Sequence, residues 1–438
     1  MNKDLFPRIG TVVLVLLLGG LVVSCSALPL VSDRLTPSPG DTGAPTASTP
    51  TQETTQTPAP TTPERKTLIL WVPPQFDPSS GTEAGELLQE QLSEFSAQRP
   101  QLDIQVRVKS LEGSGGMLET LQTAQDAAPR VLPDLVILDK VILEEAVQQE
   151  LIQSSEELAE LMALEDWYSL ANSLASEEGE IYGVPFAGDV LTLAYKSDLT
   201  EDSLADWGAV LEIQKALSFP AADPDALITL ALYESEGGDL AGIDDSRGLD
   251  QIPITHVLNF YQSAASGGVM PYWLTQFETD QQAWEAYRER QSTLTLTWIS
   301  NTLILESQNT SLAPFPTRDG VPFTYGTGWS WAVTNADPAK TEAAAALVEE
   351  LIEAEFLASW TSSLGYVPLR SSSLDYWEGG APVEFLEKIL PSAVEAPPQR
   401  LQESVGPLLR DAVLSVLKDQ ADPGEVVELL QQRSKELP

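Results

Sequence analysis

Residues 182–195 read YGVPFAGDVLTLAY. Pro185 and Gly188 argue against a helix, since proline lacks an amide donor and glycine loses the most backbone entropy there. Leu191, Leu193 and Tyr195 then recur at every second position, the period of a strand. The stretch predicts an extended connector that runs into a strand and suits a crossing between two lobes.

Upstream, strand and helix patterns alternate. Leu68–Val72 (LILWV) is a short apolar run suited to a buried strand. Gly85–Arg99 carries Leu88, Leu92 and Phe95 at helical spacing and stops at Pro100. Ile104–Val108 has period two, Met117–Ala127 reads as a helix, and Pro133-Asp134 leads into the buried-strand run Leu135–Leu138. This βαβαβ order calls for a mostly parallel sheet with helices on both faces. Ligands of such sheets bind beyond the carboxyl ends of strands, which singles out Gln75 to Asp77 and Asp139-Lys140.

Downstream, Leu294-Thr295-Leu296-Thr297 alternates and closes on Trp298. Asp337-Pro338 is a good helix start, and one long helix is expected from there to about Ser363 with Gly365 as its cap. Val405–Lys418 and Glu425–Ser434 are helical in pattern. The body from Thr67 to Pro438, about 370 residues, exceeds one ordinary core, so two lobes are expected.

Four stretches carry a family resemblance. Residues 179–186 (GEIYGVPF), continuing through Asp189 to Tyr195-Lys196, resemble the first crossover of the extracellular solute-binding proteins of ABC importers, in particular the sugar-binding group that includes maltose-binding protein. Pro133-Asp134-Leu135-Val136 resembles that family's strand entry, residues 323–335 its second crossover, and residues 365–370 (GYVPLR) the turn after its long helix. The matches fall in the family's order and span nearly the whole body. The resemblance implies an α/β, two-lobed fold of the type II periplasmic-binding-protein kind, each lobe a mostly parallel sheet flanked by helices, with several crossovers. Lobe 1 would comprise 67–187 plus 335–375, and lobe 2 188–334 plus 376–438. It implies a monomeric receptor that closes on a solute and delivers it to permease subunits, without catalysis or cofactor.

The start of the chain reads as an export signal. Lys3 and Arg8 precede an apolar run from Ile9 to Val23, then Ser24 and Cys25. The run is shorter than the ~18 residues of a spanning helix. Val22-Val23-Ser24-Cys25 resembles the lipobox of bacterial lipoproteins, which implies removal of residues 1–24 and lipidation of Cys25 on the outer face of a membrane. An ordinary cleavage site beside a free cysteine is the alternative. Cys25 is the sole cysteine, so no disulfide is available to an exported chain. Residues 25–66 are dominated by Thr, Pro, Ser and Ala from Leu35 onward. They lack the apolar periodicity that could offset ordering entropy, and so read as a disordered tether.

Formal charge is −41, and −42 without residues 1–24. This disfavours nucleic acid and anionic membrane surfaces as partners. His256 is the only histidine and lies in an ordinary helical pattern, so a Ser-His-Asp triad is poorly supported. Zinc would lack ligands, and Gly113-Ser114-Gly115-Gly116 lacks the Lys-Ser/Thr ending of a phosphate loop. An Asp/Glu pair for glycoside hydrolysis stays open as the alternative function, because acids are abundant; a ligand-sensing ectodomain is the other.

Aromatic faces pack on sugar C–H groups while carboxylates accept from hydroxyls. With the resemblance placing the cleft, the expected solute contacts are Trp71, Gln75, Asp77, Asp139, Asp189, Trp298, Gly328 and Trp329, with no metal. Trp167 and Trp360 are expected in the core. The segment Phe219-Pro220-Ala221-Ala222-Asp223-Pro224 departs from the aromatic-rich version of maltodextrin binders, which leaves smaller sugars or glycerol-type solutes open.

The anchor has a direct test. Cys25→Ser keeps the signal but removes the only sulfur that can accept lipid, so the protein should move from the membrane to the soluble fraction. Membrane retention of a normally processed variant would count against the lipobox.

Overall fold

The structure, a computed structural model, describes residues 66–111, 113–199, 204–240, 248–304, 309–334 and 337–435. The signal, Cys25 and almost all of the tether lie outside them. The strands in chain order are β1 (Lys66–Val72), β2 (Leu102–Val108), β3 (Leu135–Asp139), β4 (Ser176–Glu177), β5 (Glu180–Ile181), β6 (Gly183–Lys196), β7 (Leu217–Ser218), β8 (Leu294–Trp298), β9 (Thr310–Pro314), β10 (Thr324–Val333), β11 (Val367–Pro368) and β12 (Ala393–Glu395).

One mixed sheet joins most of them in the order β2-β1-β3-β10-β6-β8-β7. Pairing is parallel at its ends, β1 with β2 and β3, and β7 with β8. It is antiparallel where β10 meets β3 and β6, and where β6 meets β8. The two stretches that resemble the family's crossovers are therefore β6 and β10, lying side by side with Gly183 opposite Ala332 and Val190 opposite Gly326. The hairpin β4–β5 stands apart.

The apolar periodicities bury as expected. Thr82 caps the helix Glu83–Gln98 by accepting from the Gly85 amide at 3.1 Å, and Leu88, Leu92 and Phe95 turn inward. With Leu68, Leu70 and Val72 of β1, Phe186 of β6, Trp331 of β10 and Trp360, they form a first core. The opposite face of β1 carries Trp71 into a smaller core with Val136, Leu138 and Met117. Another large core gathers Leu191 and Leu193 of β6, Leu294 and Leu296 of β8, Tyr325 of β10 and the helices Gln251–Ser266 and Gln399–Leu417. β6 and β10 thus serve two cores with their two halves. Trp377, Leu386 and Leu390, in the segment assigned from sequence to lobe 2, pack into the first core.

The helix expected as one piece to Ser363 is two, Pro338–Leu351 and Ala354–Leu364. Arg370 Nη1 donates to the Ile352 carbonyl at 2.6 Å, and Arg370 is itself tied to Asp166 at 2.9 Å. A carbonyl committed to a distant guanidinium is a local alternative to the helical ladder, and the chain re-enters a helix after Glu353. Gly365 ends the second piece with φ of +76°, where a side chain would be strained.

Trp167 and Trp360 are core residues. Trp360 stacks on Phe186 at 4.8 Å and on Phe356 at 5.5 Å, and lies 6.4 Å from Trp331. Trp360→Ala should therefore cost about 3–5 kcal/mol by cavity formation, read from urea unfolding. A loss under about 1 kcal/mol would remove Trp360 from the centre of the packing.

Candidate functional site

β10 presents its aromatic residues on one face. Trp329 and Trp331 share that face by strand alternation. Trp331 is buried, while Trp329 is partly exposed and meets Phe76 edge-on at 5.1 Å and Tyr366 at 6.5 Å. Gly328 turns to the other face. A Cβ there would meet the Ala187 carbonyl at 2.6 Å and Leu174 Cδ1 at 2.9 Å, so close packing alone requires the glycine.

Asp139 lies opposite Trp329 in the β3–β10 ladder. Its carboxylate accepts from the Ile142 amide at 2.8 Å and so caps the helix Lys140–Gln148. Asp189 sits on β6 opposite Thr327. Its two oxygens accept from the Ser300 amide at 3.1 Å and the Ser300 hydroxyl at 2.5 Å. Burial pushes its pKa up to about 7, against those hydrogen bonds, and the charge of Asp280 raises it further. Trp298, partly exposed, ends β8 two residues before Ser300.

Tyr366 ties these groups together. Burial raises its pKa, and the charges of Asp189 and then Asp139 raise it further, while a hydrogen bond from Trp329 opposes. The preceding Gly365 abuts Ile304, just past the short helix Ser300–Leu303 that follows Trp298. Trp329, Tyr366, Asp139 and Asp189 thus form one neighbourhood, and Asp189 links it to the Trp298 segment. Flat rings beside carboxylates suit a polyhydroxylated ligand.

The other expected contacts fall differently. Trp71 is 2% exposed, and Lys109 Nζ lies 4.8 Å over its ring. Gln75 is exposed in the short turn Pro74–Phe76, and Asp77 accepts from the Ser79 amide and hydroxyl at 2.8 and 2.7 Å. Between them Phe76, inside the stretch singled out after β1 but not named among the solute contacts, is the residue that reaches Trp329. Tyr366, Ser300 and Asp280 were not named among them either. Tyr366 stands inside a quoted family stretch, and Ser300 follows Trp298 by two, so a signal existed for both. His256 pairs with Glu236 at 2.6 Å, and Arg318 joins the same carboxylate at 3.0 Å.

A cleft of about 760 Å³ opens beside the start of the helix Lys140–Gln148. Lys140, Glu144, Glu177 and Glu395 line it with Glu234 and Glu403. Lys140 Nζ lies 3.2 Å from Glu395, 3.4 Å from Glu144 and 3.6 Å from Glu177, and donates to the Ser176 carbonyl at 3.1 Å. Burial raises the pKa values of Glu144 and Glu395, with Lys140 opposing. Among the described residues, no group of three or more His, Cys, Asp or Glu could hold a metal ion, and no helix is long and apolar enough to cross a membrane.

The raised pKa of Asp189 fixes a pH dependence. A carboxyl that holds its proton more tightly when folded stabilises the fold fully below about pH 4, and this is lost as pH rises through about 7. Relative to Asp189→Asn, which does not titrate, the native protein should lose stability between pH 4 and 8, on the order of a few kcal/mol. Parallel unfolding curves across that window would show that Asp189 titrates as an exposed acid.

Comparison with known proteins gives the fold its relatives. Solved structures that match include maltose-bound MalE3 of T. maritima (16% identity, TM-score 0.62, covering 84% of this chain and 99% of that one) and the sugar-binding protein MalE from Xanthomonas citri (18%, 0.66, 85% and 97%). A third is a solute-binding protein of Thermotoga lettingae bound with α-D-tagatose (17%, 0.60, 85% and 99%). No curated protein matches. These likenesses establish a two-lobed binding-protein fold. The model of the bacterial extracellular solute-binding proteins matches residues 91–385, and the chain belongs to that family.

Proposed function

We propose that this chain captures a small carbohydrate between its two lobes, on the outer side of a bacterial membrane, and hands it to an ABC permease. Cys25 carries the lipid anchor, residues 25–66 form the tether, and the body works as a monomer without catalysis of its own. The lobes are divided as the sequence suggests, except that 329–334 and 376–393 go with lobe 1, as the packing of Trp331, Val333, Trp377, Leu386 and Leu390 supports. Solute favours closure only through contacts that the closed state adds.

One observation carries this reading: Trp329, partly exposed on a strand shared by both cores, with Tyr366 beside it and Asp139 across the ladder. An aromatic platform beside carboxylates fits a sugar better than an apolar or anionic solute. The segment 219–224 supports a small ligand. Phe219 is buried and stacked on Tyr261 at 5.6 Å, and Ala221 and Ala222 are buried, so no exposed aromatic is offered there for an extended glucan. The formal charge of −41 favours neutral or cationic solutes.

The test is calorimetric titration with maltose, maltotetraose and tagatose. Trp329→Ala removes a stacking surface that contributes about 1–3 kcal/mol, so affinity should fall roughly 5- to 150-fold. Stability should fall by less than about 3 kcal/mol, because the ring is not sealed in a core. Unchanged affinity with a larger stability loss would assign Trp329 to packing alone. Steady release of product from a glycoside would favour an Asp/Glu hydrolase instead.

A further inference from the structure

The turn 297–301 carries Trp298 and is tied to carboxylates from two distant parts of the chain. Asp189 on β6 holds Ser300 from one side. Asp280, the first residue of the helix Asp280–Arg288, holds the other. Its Oδ2 accepts from Asn301 Nδ2 at 2.6 Å and from the Thr297 hydroxyl at 3.2 Å, and Asn301 Nδ2 also reaches Thr297 Oγ1 at 2.8 Å. The three side chains close a triangle behind the turn.

Backbone bonds hold the start of this segment, where Trp298 pairs with Leu191 and the Ile299 amide donates to the Val190 carbonyl at 2.9 Å, but the residues after Ile299 leave the ladder. Ser300–Leu303 is a helix of four residues, too short to be stable by propagation. The side chain of Thr297 points into the protein, away from water, and its residue is fully buried. Asp280 stands in the first turn of its own helix, where the macrodipole favours a carboxylate. Burial pushes its pKa up to about 6, against its bonds to Thr297 and Asn301, with the charge of Asp223 adding.

We infer that Asp280 is a positioning residue for solute binding: its hydrogen bonds to Asn301 and Thr297 fix the turn that presents Trp298, so that the ring is set before the solute arrives. The inference rests on the reading of Trp298 as a solute contact. Fixing a contact in advance removes an ordering cost from binding, so Asp280 acts on affinity without touching the solute.

Two substitutions separate this role from others. Asp280→Ala deletes the acceptor. Asp280→Asn keeps a carboxamide oxygen where Oδ2 stands and retains both bonds. Maltose affinity is measured by calorimetry, and amide exchange of residues 294–304 is measured by mass spectrometry on the sugar-free protein. Asp280→Ala should weaken maltose binding at least fivefold and speed exchange in 297–304 at least tenfold, with the rest of the chain unchanged. Asp280→Asn should stay within about twofold of native on both. Asn301→Ala, which opens the same triangle without altering the helix Asp280–Arg288, should reproduce the local exchange and the loss of affinity. Native affinity and native exchange in Asp280→Ala would overturn the inference. So would an Asp280→Asn protein as impaired as Asp280→Ala, since the retained acceptor would then count for nothing. A native protein that binds none of maltose, maltotetraose and tagatose would sink the sugar reading, and the exchange arm then decides the clamp alone: unchanged exchange in Asp280→Ala refutes it.

Discussion

The antiparallel ladder between β6 and β10 runs from Gly183 opposite Ala332 to Val190 opposite Gly326, and both strands take part in two large cores. A sheet edge left open here would expose unpaired backbone groups to no purpose. Closed, it fixes the register of everything attached to it. β3 joins the first half of the ladder through Trp329 and Asp139, and β8 joins the second half of β6 through Leu191 and Trp298. The backbones of the two carboxylates and two indoles of the candidate site are thus placed by strand pairing, and side-chain bonds then act on that frame. At Gly326 a Cβ would lie 2.4 Å from the Leu170 side chain, so a larger residue there would push on the helix Ser169–Ala175 that packs on the ladder.

One face of the ladder is aromatic and nearly continuous: Trp329, Phe76, Phe186, Trp331 and Trp360 contact one another in that order. Such a stack is rigid because each ring is held on several sides. Its outermost member, Trp329, is the one left partly open. None of these rings lines the acidic cleft, where one lysine is surrounded by carboxylates from three elements. Removing Lys140 would leave several partly buried like charges unpaired, so this cluster holds together as a unit.

Charge at the aromatic face is managed by capping. Asp139 satisfies a helix amide and Asp189 a short helix start, so each carboxylate accepts from a backbone amide. Raised pKa values at Asp189 and Asp280 follow from the same burial that positions them. The strong acidity of the chain as a whole leaves these local arrangements unaffected, because they are set by near neighbours.

The sequence by itself determined much of the framework. Apolar runs placed β1 and β3, and period-two alternation placed β2, β6 and β8, because such patterns report a strand directly. Asp189 and Trp298 stand within or at the end of such strands, whereas β10 and its Trp329 were placed by the resemblance to the family's second crossover. Local pattern could not say which way a residue points when both faces of a strand are buried, and Trp71 on β1 is that case: Leu70 enters one core and Trp71 another. Nor could it show bonds between residues far apart in the chain. Arg370 takes the Ile352 carbonyl and the helix splits; Phe76 and Tyr366 converge on Trp329 from opposite ends of the body; Asp280 meets Asn301 across a strand. Tertiary structure alone decided these, since they depend on which elements the shared ladder brings side by side.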